Sequence, residues 1–294
     1  MRTRTGDEVA GLAAMAACAF LWSIAGLVIK LVDWNPLAIA GGRSLIAAVF
    51  LLLWVRRPRF TFSGAQLAAA LANAATMLLF VYANKTTTSA NAILLQYGAP
   101  VYVALLGAPL LKEKPRAEHW AALGAIAAGM ILLFMEGLGA GSLLGNLAAV
   151  ASGITFALYI VFMRKQKGGS PIESVILAHG MVALVALAGS PFLPAPTPSL
   201  RSLGALAILG VFQIGLAAVF FAYGIKRVSA VASVLVAVIE PVFNPVWVFL
   251  VTGEAPGAKA VAGGLVIVVA VIVSSVISVR RDSAAGDDAR EASA

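Results

Sequence analysis

The sequence predicts an all-α membrane protein of ten transmembrane helices, arranged as two inverted five-helix halves. Three observations predict it. Hydrophobic residues make up 61% of the 294, and charged residues 12%, whereas a soluble domain carries about 45–50% and about 25%. Apolar runs of roughly the 20 residues that a spanning helix needs recur from one end of the chain to the other. Finally, an offset of 141 residues carries Tyr82 onto Tyr223, Lys85 onto Lys226, Pro100 onto Pro241 and Glu113 onto Glu254. Five is odd, so the second half enters the bilayer from the opposite face.

The ten spans fall at 9–31, 36–55, 65–84, 90–111, 117–135, 143–163, 172–190, 203–223, 230–251 and 258–279. Backbone groups in lipid must satisfy one another, which leaves helices or a closed barrel, and a barrel would alternate in segments of about ten residues. The first span contains "MAAC", which faintly resembles a lipoprotein box, but its apolar run continues past Cys18 to Leu31 and is long enough to cross. In the fifth, Gly124, Ala125, Ala128 and Gly129 give the small-residue spacing of close helix contact. "PFLPAPTPSL" forms the loop between the seventh and eighth. The first half covers 9–135 and the second 143–279, and 280–294 is expected to be a disordered tail.

Alternate loops hold 16 of the 21 lysines and arginines: Arg2 and Arg4; Arg56, Arg57 and Arg59; Lys112, Lys114 and Arg116; Arg164, Lys165 and Lys167; Lys226 and Arg227; Arg280, Arg281 and Arg290. By the positive-inside rule both termini are expected in the cytoplasm, in the inner (plasma) membrane. Clusters between apolar runs are topology signals, so the net charge of +8 does not point to nucleic acid. With one cysteine, no internal disulfide can form.

Inverted halves with helices interrupted near the midplane are the mark of a secondary transporter. The segment "SANAILLQYGAPVY", followed by "LLKEK", and its echo "SAVASVLVAVIEPVFNPVWVFLVTGE" resemble the drug/metabolite transporter superfamily, in its branch of paired EamA-type domains. The resemblance covers nearly the whole chain. It implies two EamA-type repeats and an exporter or importer of amino acids, nucleotide-sugar-like molecules or other small metabolites, read here as export of small organic metabolites such as amino acids. No cofactor and no bound metal are expected. The partners expected are a small-molecule substrate and the lipid bilayer, and a monomer suffices. One departure stands out. Small four-helix multidrug members use a glutamate in the first helix for proton coupling, and here Trp22 and Ser23 occupy that stretch.

Candidate substrate-binding residues follow from the interruptions. A proline removes one amide and frees the carbonyl four residues earlier. Pro100 frees Gln96 and Pro241 frees Ala237, at equivalent positions of the two halves. Those carbonyls can face a substrate, or be re-satisfied by neighbouring helices. Glu240 has no acidic counterpart, since Ala99 stands at its place in the first half. A mid-bilayer charge costs about 2.5–3.5 kcal/mol on insertion scales. Three roles are open to it: holding a cationic group, carrying a coupling proton, or bracing a neighbouring helix. Ser233, Asn244 and Trp247 share its face at helical spacing.

Trp22, Tyr97 and Tyr159 lie within apolar stretches, away from the interfaces where aromatic residues collect. With Asn73 they can line a cavity, or simply pack. Arg43 lies close enough to the outer surface to snorkel, and a pairing with a helix C-terminus or headgroups is expected ahead of a substrate contact. For His179 a structural hydrogen bond is expected ahead of a proton-carrying role. Glu113 and Glu254 close their helices on opposite sides of the membrane and are read as structural; ion pairs with Lys114 or Lys259 are open to them, but exposed pairs are weak. The alternatives to a carrier are weaker. No serine–histidine, paired-aspartate or HExxH pattern of an intramembrane enzyme occurs, and no phosphate-binding glycine motif. A passive channel would need a continuous polar lining.

Overall fold

The structure, a computed structural model, describes residues 4–29, 31–87, 89–135, 142–252 and 257–291. The side chains of Asn84, Lys85 and Asn244, and the whole of Glu254, lie outside that description. The described residues form ten consecutive helical units. They are α1 (Arg4–Ser23, continued by Ala25–Ile29), α2 (Pro36–Val55), α3 (Gly64–Thr86), α4 (Ser89–Gln96 and Ala99–Leu111) and α5 (Ala117–Phe134). The second half holds α6 (Leu143–Lys165), α7 (Ile172–Gly189), α8 (Leu200–Gly224), α9 (Ala230–Ala237 and Ile239–Thr252) and α10 (Ala258–Glu291). Nine helices among the described residues are long and apolar enough to cross a membrane, and a shorter apolar stretch, Ala230–Phe243, lies in α9.

Local chemistry sets the starts. Asn35, Ser63, Ser142, Ser199 and Ser229 each accept a backbone N–H from the first turn of the helix that follows, satisfying donors that the helix itself leaves over. At the other ends, Arg56 and Lys112 adopt positive φ, and their N–H groups bond back to Leu52 and Ala108 at 2.9 and 3.1 Å.

Contacts between helix ends establish the inversion. Glu113, just past the end of α4, accepts the backbone N–H of Ala230 at the start of α9 (3.0 Å). Asn35, before α2, donates to the Pro194 carbonyl beyond α7 (3.0 Å), and Arg59, after α2, donates its N–H to Glu173 at the start of α7 (3.0 Å). Glu118, at the start of α5, takes Arg281 near the end of α10 (3.0 Å). Three helices thus lie antiparallel to their own counterparts. The ends of α6 separate the repeat-related loops: Thr87, after α3, bonds Asn146 at the start of α6, and Lys226, after α8, bonds Gly169 beyond its end.

The halves close on each other through small residues. A Cβ on Gly129 of α5 would meet the Gly263 carbonyl of α10 at 2.9 Å, whereas one on Gly124 would meet nothing within 4 Å. The small-residue stripe of α5 is therefore a contact at Gly129 and not along its whole length. Two elements differ from expectation. Residues 280–291, expected as part of a disordered tail, continue the backbone of α10 as helix to Glu291. Extending an existing helix adds a hydrogen bond per residue without a new nucleus, and "DSAAGDDARE" contains no proline. The apolar run of α8 contains a π-helical segment, Leu209–Leu216, where an ordinary helix was expected.

Candidate functional site

Both α4 and α9 lose regular helix at equivalent points. Tyr97 and Gly98 interrupt α4, and Val238 interrupts α9, each three residues before the shared proline. At the first break the Gly98 N–H turns back to the Leu95 carbonyl at 3.2 Å, leaving out the Gln96 carbonyl. That carbonyl lies against Gly153 of α6, where a Cβ would approach it to 2.7 Å. The carbonyl that Pro100 frees is therefore placed against a neighbouring helix, made possible by a glycine. Pro100 and Pro241 are both buried.

The two breaks meet through side chains. Tyr97 Oη donates to Glu240 Oε2 at 2.7 Å, the short geometry of a bond to a carboxylate. Both residues are half-buried, whereas Ala99, the counterpart of Glu240, is fully buried. The carboxylate keeps partial access while one of its oxygens is held by the opposite half.

An aromatic cluster lies in the core against which Tyr97 packs. Tyr159 stacks on Phe221 at 5.2 Å between centroids, Phe221 lies 5.6 Å from Trp22, and Trp22 meets Phe156 edge-on at 5.9 Å. This cluster joins α1, α6 and α8. Phe221, Tyr159 and Cys18 belong to the buried core against which Trp22, Tyr97 and Phe156 pack. Trp247, placed by spacing on the Glu240 face, instead donates Nε1 to Ser23 of α1 at 2.8 Å. Phe20 contacts both Trp247 and Phe243 at 5.3 Å.

The remaining predicted residues separate. Asn73 is buried on α3 and makes no hydrogen bond among the described residues. One turn on, Thr76 bonds Thr155 of α6 at 2.9 Å. The side chain of Asn244 lies outside the described residues, and no group of three His, Cys, Asp or Glu able to hold a metal occurs among them. Arg43 does not snorkel. It is buried, 8% exposed, because its helix face packs on α8. His179 bonds Ser44 at 3.1 Å.

Polar ties sit at the two ends. At the end carrying the basic loops, Arg164 Nε meets Glu113 Oε1 at 2.7 Å, and Arg164 also donates to the Ile225 carbonyl at 2.9 Å. With Ala230 on its second oxygen, Glu113 joins α4, α6 and α9, and Arg164 extends the tie to Ile225 just past α8. The partner of Glu113 is Arg164 and not the neighbouring Lys114, because α6 brings a guanidinium 11% exposed to a carboxylate 21% exposed, which gives the carboxylate a structural role. At the other end Thr87 and Asn91 converge on Asn146 Oδ1 at 2.7 and 3.3 Å.

Two mirrored bundles with interrupted helices meeting at a half-buried carboxylate define the architecture of a membrane transporter. The chain belongs to the EamA-like transporter family, whose model matches residues 9–135 and again 143–276. It is 29% identical over 204 residues to the Pseudopaline exporter CntI of Pseudomonas aeruginosa, covering 68% of this chain and 70% of that protein. It is 28% identical over 243 residues to the Uncharacterized transporter YwfM of Bacillus subtilis, covering 76% of this chain and 79% of that one. A solved crystal structure shares the fold with a TM-score of 0.80 at 23% identity, over 95% of this chain and 99% of its own.

Proposed function

We propose that this protein is a secondary carrier that exports small organic metabolites such as amino acids by alternating access, and that it is not an enzyme. The observation that carries the reading is the Tyr97–Glu240 hydrogen bond, which joins the two helix breaks across the repeat. A charge this deep is costly unless it serves a pathway. A bond from the opposite half gives the two halves a reason to move together. A substrate amino group or a proton that took Glu240 would compete with Tyr97 and release one break from the other.

The halves, 9–135 and 143–279, rock about the breaks at Tyr97–Pro100 and Val238–Pro241. Trp22 and Tyr159 line the path beside Glu240, Asn73 and Asn244 supply amides to it, and Gln96 sets the break. The Arg164–Glu113–Ala230 tie holds the basic end closed, and that end, with both termini, faces the cytoplasm of the inner membrane. The exporter among the relatives supports the outward direction, and no second subunit is needed.

Counterflow in proteoliposomes tests this. A carrier loaded with unlabelled amino acid accumulates the labelled one transiently and saturates, and Glu240→Gln changes the rate or its pH dependence. Flux that neither saturates nor shows counterflow identifies a channel. Kinetics unchanged by Glu240→Gln at every pH would reject the role of the carboxylate.

A further inference from the structure

The turn between α2 and α3 is held from inside the protein. Gln66 Oε1 accepts the backbone N–H groups of Thr61 (3.0 Å) and Phe62 (2.8 Å), and Glu173 Oε1 accepts that of Arg59 (3.0 Å). Gln66 and Glu173 are both buried. Phe60 packs against the main core, and Phe62 stacks on it at 6.0 Å between centroids while staying 61% exposed. Arg56 has φ 57° and Phe62 φ 50°. Such backbone positions cost a non-glycine residue free energy and persist only where surrounding contacts impose them. The turn is thus a built element, and its exposed residues include three arginines and a phenylalanine.

Among the described residues the side chains of Arg56, Arg57 and Arg59 have no hydrogen-bond or ion-pair partner. Their Cα atoms lie within about 11 Å of one another, the reach of three peptide units. Other arginines at this end are committed. Arg164 bonds Glu113 and Ile225, Arg281 bonds Glu118, and the Arg227 guanidinium covers the Tyr223 ring at 3.4 Å. Glu173, beneath the turn, offsets one of the three charges. Helix α2 has 20 residues, about 30 Å, the thickness of the hydrocarbon core, so the turn emerges at the level of the lipid headgroups. Trp54, 56% exposed and stacked on Phe50 at 5.9 Å, marks that level, as interfacial tryptophans do.

We propose that the turn between α2 and α3 binds the headgroup of an anionic phospholipid, with Arg56, Arg57 and Arg59 on the phosphodiester and Phe62 among the acyl chains. A guanidinium fork meets phosphate oxygens through parallel hydrogen bonds, and basic residues beside a spanning helix attract anionic lipid. A zwitterionic headgroup brings a cation of its own, which the spare positive charge of the turn repels. A free phosphate would satisfy the arginines but leave Phe62 in water, so the exposed phenylalanine selects the lipid. The site does not depend on the carrier reading; it needs only that α2 crosses the bilayer.

Thermal unfolding of the purified full chain in neutral detergent tests the assignment, with phosphatidylglycerol, phosphatidylcholine and inorganic phosphate as separate probes. Phosphatidylglycerol is expected to raise Tm by several degrees, and by less at high salt, while the other two leave it unchanged. Replacing the three arginines together, Arg56→Gln with Arg57→Gln and Arg59→Gln, should raise the half-saturating lipid concentration about tenfold or more. Phe62→Ser should raise it several-fold. Removing as many charges elsewhere at that end, by Lys114→Gln with Lys165→Gln and Lys167→Gln, should change it by less than about twofold. Phosphatidylcholine that stabilises as strongly overturns the proposal, and so does inorganic phosphate that reproduces the shift. A triple arginine variant that keeps the parent's half-saturation overturns it as well. A lysine variant that loses as much as the arginine one does the same, because the lipid then answers to the general field of the basic end. If the triple arginine variant does not fold, Arg57→Gln alone decides: half-saturation about fivefold weaker supports the site, and an unchanged value overturns it.

Discussion

Helices α4 and α9 are the same element written twice, with different chemistry at the centre. Both break three residues before a buried proline. In α4 the break is lined by Tyr97 and closes onto Gly153 of α6. In α9 the equivalent of Ala99 is Glu240, half-buried and bonded to Tyr97. The backbone device is therefore common to both halves, while the charge belongs to one. Under the proposed carrier mechanism, the symmetric pair of kinks would supply motion in both directions, and the single carboxylate would supply one place for a ligand or proton to act on it.

Moving the charge should break the comparison most severely. Ala99 is 0% exposed, so Ala99→Glu buries a carboxylate with no space or partner, at about 2.5–3.5 kcal/mol or more. The variant should fail to accumulate as a monodisperse peak in size-exclusion chromatography. A folded and active Ala99→Glu protein would mean that the halves are chemically interchangeable. Next, Glu240→Gln keeps the shape and removes the charge. The protein should fold, and counterflow should fall about 10- to 100-fold, the equivalent of the roughly 1.5–3 kcal/mol that a hydrogen bond to a charged group contributes.

Filling the space behind the first break tests the backbone alone. Gly153→Ala should cost about 1–3 kcal/mol by forcing α6 away from the Gln96 carbonyl, read as a lower Tm in detergent. A Tm equal to that of the parent would show that the break has room to spare. The mildest change is Tyr97→Phe, which removes one hydroxyl and leaves Glu240 its partial exposure. Transport should slow by about fivefold, near 1 kcal/mol, with expression unaltered. A loss as large as that of Glu240→Gln would make the tyrosine, and not the carboxylate, the principal group.

Most of the architecture was legible in the chain. Runs of apolar residues of spanning length leave helices as the economical solution in lipid, and four residues repeated at one offset disclose the halves. The prolines marked where α4 and α9 break, because a missing N–H is a local property. The tenfold count, the basic loops and the odd parity all follow from composition in order along the chain.

What the sequence could not disclose depends on which surfaces meet. Phe156 and Phe221 complete the aromatic cluster around Trp22 and Tyr159, yet nothing sets them apart from the other phenylalanines. Glu113 finds Arg164, 51 residues away, where spacing offered Lys114. The π segment of α8 arises where Gly210 and Gly215 let Ile46 and Phe50 press against the helix backbone, and Arg43 is buried for the same reason.

The sequence by itself determined the number of helices, their inversion and the places where two of them must break, since hydrophobic length, charge bias and the absent proline amide act within a few residues. Only the tertiary structure decided that Tyr97 reaches Glu240 and that Arg43 is buried with its Nε unpaired. Those outcomes depend on helix packing across the bundle, which no local pattern encodes.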